Sequence, residues 1–212
     1  MNKSTFLIRN IDAGKYLEIF LVSAIASILV IRLFLELTGY PQIGNSTLHI
    51  AHMLWGGFLM LISIIILFSF LTKGAERWAA LLGGIGFGTF IDEVGKFVTS
   101  DNNYFFEPAV SIMYVTFILI YIAIHTIQTG WSYSENEYLI NALQELKEVA
   151  LHDLGEEEKN KALNYLRNSN PLDPLVISVR NLISNTKTIP SSSPGPYIRI
   201  KKYFHKMYFK IT

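Results

Sequence analysis

Apolar residues come in four long runs over the first two thirds of the chain, and in short helical-period clusters after that. Spanning a hydrocarbon core takes about 20 mostly apolar residues at 1.5 Å each. Tyr16–Leu37 is apolar from Ile19 to Ile31 and is then broken by Arg32 and Glu36. Leu48–Leu71 carries no charge from Met53 onward. The apolar part of Trp78–Val98 stops at Ile91, and Pro108–Ile127 forms the last run. Pro108 suits a first helical position, where its missing N–H would be unpaired anyway. The pattern predicts an all-α membrane protein with four transmembrane helices in a bundle. No small-x-small cleavage site follows the first run, so it reads as a retained span rather than a signal peptide.

Beyond Trp131 the pattern becomes amphipathic. Leu139, Leu143, Leu146 and Ala150 recur at helical spacing, Gly155 reads as a helix stop, and Glu156–Arg167 and Leu172–Ile183 continue the pattern. These features predict a small cytoplasmic helical module over 132–185, following a leader (1–15) and a four-span domain (16–131). A Pro- and Ser-rich linker (186–196) and a basic amphipathic segment (197–212) complete the chain. In that segment Ile200, Tyr203, Phe204, Met207, Tyr208 and Ile211 share one helical face among Arg199, Lys201, Lys202, Lys206 and Lys210. Such a face suits anionic inner-leaflet lipid. A basic aromatic segment is also what leads into a further span, so a continuation past Thr212 is expected.

Composition fits this picture. Of the 212 residues 50% are hydrophobic and 17% charged, less charge than soluble domains carry. A net charge of +1 gives no reason to expect a nucleic-acid partner. Cysteine is absent, which excludes disulfides, thiolate metal sites and cysteine nucleophiles. Lys3, Arg9 and Lys15 precede the first run, Lys73 and Arg77 lie between the second and third, and Lys147 onward follows the fourth. Positive-inside reasoning puts both termini in the cytoplasm, in a plasma (inner) membrane.

With that topology the ionisable residues gather at the outer end: Arg32 and Glu36, His49 and His52, Asp92, Glu93 and Lys96. About 14 apolar residues, or about 21 Å of helix, precede Asp92, against a hydrocarbon core of about 30 Å. Charge at such depth is costly and needs partners. His49, His52, Asp92, Glu93 and Glu36 form a candidate ligand set for zinc, iron or manganese. Glu93, Asp92, Lys96 and Arg32 are the candidate catalytic groups of a metal-dependent hydrolase or oxidase acting on a lipid-borne or apolar substrate. Gly84, Gly88 and Asp92 form one helical row, whose small residues let a neighbour approach and present Asp92 to it. A haem is not expected, because His125 lies too far from His49 and His52. A nucleotide is not expected either, because the glycines at 83–88 follow no strand. The alternative is a non-enzymatic membrane sensor or assembly protein whose cytoplasmic helices bind a protein partner or a second copy.

Overall fold

The computed structural model describes residues 7–38, 44–45, 48–49, 52–97, 107–129 and 132–189. Among these described residues there are seven α-helices and one minimal strand pair. The expected membrane-surface segment at 197–212, most of the expected linker and the loop before Glu107 lie outside the described residues. The described residues divide into two compact units, one over 10–132 and one made of residues 7–9 with 133–189.

The first unit holds α1 (Ala13–Thr38), α2 (His52–Ser69), α3 (Lys73–Phe97) and α4 (Glu107–Thr129). Of these, α1 is long and apolar enough by itself to cross a membrane, a test that a signal sequence also passes. Shorter apolar stretches run over Met53–Ser69 in α2 and Ser111–Thr126 in α4. A brief pair, β1 (Gly44–Asn45) with β2 (Leu48–His49), is antiparallel, matching Gly44 to His49 and Asn45 to Leu48.

α3 is the hub: α1 and α2 each pack on it rather than on each other, and α4 makes smaller contacts with α3 and α1. Glycines permit this. A Cβ at Gly84 would strike Phe20 O and Ser23 Oγ, and one at Gly88 would strike Ala24 O and Ser27 Oγ. On the other side, a Cβ at Gly56 would lie 2.6 Å from Gly86 O, and one at Gly86 would lie 2.6 Å from Gly56 O. The two backbones therefore approach as closely as small-residue seams allow. Hydroxyls in the seams are spent locally. Ser63 Oγ donates to Ala79 O at 2.7 Å, tying α2 to α3, while Ser23 and Ser27 donate to Phe20 O and Ala24 O of their own helix. Phe87 joins Phe20 of α1 and Phe117 of α4, with centroid separations of 5.6 and 6.0 Å.

The second unit holds α5 (Glu135–Ala150), α6 (Glu156–Arg167) and α7 (Pro174–Asn185). Ser134 and Glu137 form a capping box that starts α5. α5 stops where His152 takes a left-handed φ of 55°. There Asp153 N–H bonds Glu148 O at 2.9 Å and His152 N–H bonds Val149 O at 3.1 Å, which is a Schellman ending. Gly155 is therefore not the stop of α5: it is the N-cap of α6. The three glutamates after it suit the positive end of the helix dipole. Asp173 Oδ1 accepts from Leu175 N–H at 2.8 Å and Pro174 occupies the first turn, so α7 is well started. Leu139, Ala142, Leu154, Ala162, Leu166, Val176, Val179 and Ile183 are buried together with Tyr165. The helix ends are closed by neighbours. Arg180 Nη2 donates to Leu166 O at 2.9 Å, and Lys159 Nζ donates to Ser184 O at 2.9 Å and Thr186 O at 2.8 Å. Thr186–Ile189, the expected start of the linker, folds back onto this module. Thr188 Oγ1 donates to Glu156 Oε2 and Ile189 N–H to Leu154 O, both at 2.9 Å.

Candidate functional site

The seam between α1 and α3 ends in charge. Gly84, Gly88 and Asp92 follow one another at four-residue intervals along α3, and the glycines face Phe20, Ser23, Ala24 and Ser27. Two turns beyond Ala24 the same helix supplies Arg32. Its Nε donates to Asp92 Oδ1 at 2.7 Å, and its Nη2 stands 4.0 Å from Met113 Sδ of α4. One guanidinium thus meets two other helices. Asp92 is 1% exposed and Glu93 0%, while Arg32 keeps about a third of its side chain accessible, 32%. The helical row that the sequence suggested does present Asp92 to α1, and the residue waiting there is an arginine.

Glu93 lies on a different face. It stands one turn beyond Thr89 and two beyond Gly86, the residue whose backbone meets Gly56 of α2. Thr89, also buried, returns its hydroxyl to Ile85 O at 2.7 Å. Glu36 is exposed, one turn past Arg32. His49 and His52 do not share a helical face: His49 belongs to β2, and α2 begins only at His52. The physical reason is that the Gly44–Asn45 strand captures the Leu48–His49 backbone in a ladder, so the helix starts later than its apolar pattern suggests. The side chains of His49, His52 and Lys96 lie outside the described residues. Among the described residues no group of three or more His, Asp or Glu gathers as a metal ion would require. His125, far along α4 from the pair, is exposed and stacks on Tyr121 with centroids 6.0 Å apart.

Chemically, the ion pair joins α1 to α3 through Asp92 Oδ1, on a carboxylate closed from solvent. Breaking such a pair by removing one partner is strongly destabilising, because the other charge is left buried.

A second constellation was not visible from sequence. Arg9, read as one of the leader's positive charges, sits on α5. Its Nε donates to Glu137 Oε1 at 2.7 Å and its Nη2 to Glu137 Oε2 at 2.9 Å. The only sequence signal at that place was the Ser134-x-x-Glu137 capping box, which marks a helix start and says nothing of a partner 128 residues away. The chain matches no protein-family model, no curated protein and no solved structure.

Proposed function

We propose that the chain is a four-span integral membrane protein, with both termini in the cytoplasm. On this reading it works as a non-enzymatic sensor or assembly protein, with a polar knot at the outer end of its bundle and partner-binding helices inside. The observation that carries the membrane part is the inverted distribution of residues in the unit over 10–132. Its buried positions are small or polar: Ser23, Ala24, Ser63, Ala79, Thr89, Asp92 and Glu93, with Met113. Its exposed positions include Val22, Leu29, Val30, Leu33, Phe34, Trp55, Phe58, Ile64, Ile65, Val115, Leu119 and Ile122. Water does not tolerate an apolar surface of that extent on a monomer, whereas lipid does. The helices measure roughly 39, 27, 38 and 35 Å at 1.5 Å per residue, which brackets a hydrocarbon core of about 30 Å. The contact between Arg9, just before α1, and Glu137, just after α4, favours an even number of crossings between them. The burial of Asp92 against Arg32 favours the non-enzymatic reading over the catalytic one.

Reporter fusions test the topology. They should be cytoplasmic at residues 75 and 135 and external at 42 and 103. An external signal at 135 would remove both the topology and the placement of the polar knot.

A second reading has one observation in its favour: Glu93, wholly buried, stands two turns beyond Gly86, whose backbone meets α2, and α2 opens with His52. Together with His49 these residues would bind a divalent zinc, iron or manganese ion, which would activate water or oxygen. Elemental analysis of the detergent-purified protein separates the two readings. A stoichiometric metal that is lost in both His52→Ala and Glu93→Ala would favour the second; metal-free wild type would favour the first.

A further inference from the structure

The contact made by Arg9 is richer than an ion pair. The guanidinium is gripped at two points by Glu137 and lies against the Tyr133 ring, 4.3 Å from its centroid. The main chain is read as well: Arg9 N–H donates to Glu137 Oε1 at 3.3 Å, and Arg9 C=O accepts from Asn141 Nδ2 at 2.9 Å. Every one of these contacts belongs to a single residue. The receiving groups are preorganised by α5 itself. Ser134 N–H and Oγ donate to Glu137 Oε2 at 2.9 and 3.1 Å, and Asn141 Nδ2 also donates to Glu137 O at 2.7 Å. Glu137 and Asn141 are one turn apart, so both point the same way from one helix face.

A fork of two parallel N–H groups, a planar cation against an aromatic ring, and peptide groups on both sides of the residue together describe recognition of an arginine within a chain. Lysine meets only part of it, since its ammonium is a single point charge with no plane to stack. Nothing in the geometry depends on the bond that joins Arg9 to Asn10, so an arginine from another chain would satisfy the same groups.

We propose that the face of α5 formed by Tyr133, Ser134, Glu137 and Asn141 is a binding site for an arginine-bearing peptide segment, held closed by the chain's own residues around Arg9. The N-terminal segment is then a built-in competitor. Because it belongs to the same chain its binding is intramolecular, so a partner's arginine segment gains access only by outcompeting it or after it is withdrawn. The inference rests on the module alone and stands whether or not the four-span reading does.

The test uses the full chain in detergent, with a fluorescent peptide of the sequence of residues 5–12 as the probe. The receptors are wild type, Arg9→Ala and Arg9→Lys, so that one with an intact module, checked by hydrogen exchange in α5, is in hand. The emptied receptor should bind the arginine peptide at least tenfold more tightly than wild type does. It should not bind the same peptide with alanine at the arginine position, and adding Glu137→Gln should abolish binding. Equal binding of the arginine and alanine peptides, or no binding to a receptor whose α5 is folded, would overturn the proposal.

Discussion

The two units of this chain differ in where they put their large aliphatic residues. In the module formed by α5–α7, Leu154, Leu166, Val176 and Ile183 are inside, together with the carboxylates of Glu137, Glu145 and Glu148 on α5, while Glu156, Glu157 and Arg167 of α6 are exposed. In the unit over 10–132 the interior is glycine, alanine, serine, threonine, two carboxylates and Met113, while Leu29, Leu33, Phe34, Phe58, Ile64, Ile65 and Leu119 are outside. Each arrangement is sensible against its own surroundings. Water drives the first together by expelling apolar area. In the second, close backbone contact and a charge pair join the helices, and on the four-span reading apolar surroundings give large side chains no reason to hide.

The same truncation should therefore have unequal effects. Leu166→Ala, at a position 0% exposed, should cost the module about 2–5 kcal/mol. Leu29→Ala, at a position 64% exposed, should leave folding in detergent almost unchanged; thermal unfolding of each unit, followed separately, checks this. Arg32→Ala should be nearly as damaging, about 3 kcal/mol, by leaving Asp92 buried without its guanidinium. The double change Arg32→Met with Asp92→Leu should recover most of that loss. Gly88→Leu adds apolar bulk to an interior that has no room for it and should cost about 1–3 kcal/mol. A neutral result there would mean that α1 does not sit on this face of α3.

Acid should act on the module selectively. The Arg9 guanidinium, by its hydrogen bonds, holds the Glu137 carboxyl down at about 2, against burial, which pushes it up. Arg9 in turn is raised by the same bond to Glu137. For a carboxylate depressed on folding, the stabilisation is fully present above its unfolded value of 4.5 and is lost as the pH falls toward about 2. Protection factors of the Arg9 and Tyr138 amides against hydrogen exchange should therefore fall through that window in wild type, and far less in Glu137→Gln. The smallest effect expected is favourable. His152→Gly relieves a left-handed side-chain position and should add up to about 1 kcal/mol, measured by denaturant unfolding.

How much of this was readable beforehand depends on the distance over which the cause acts. Helix α6 falls on its sequence pattern from end to end, because its period and its flanking residues are local. The glycine row leading to Asp92 was readable for the same reason, being one face of one helix. Which cation would meet Asp92 was not, since Lys96 is four residues away and Arg32 sixty. Gly155 was misread because a glycine can end a helix or begin one, and the left-handed position fell to His152. The delayed start of α2 depended on a strand pair that no apolar pattern encodes. Arg9 was counted as charge alone, and its role depends on a helix that begins 126 residues later.

The position of α3 as hub also sets an order in time. On the four-span reading, α1 and α2 leave the ribosome before the helix on which both of them settle, and among the described residues they do not pack on each other. Arg32 enters the bilayer sixty residues ahead of Asp92. At about 5–20 residues per second, that is an interval of roughly 3–12 s in which a guanidinium waits at membrane depth with its eventual carboxylate not yet made. Early in its life the chain thus carries an unassembled half whose polar faces must be lodged against the insertion machinery or its water, and the arrival of Asp92 is the event that ends this wait.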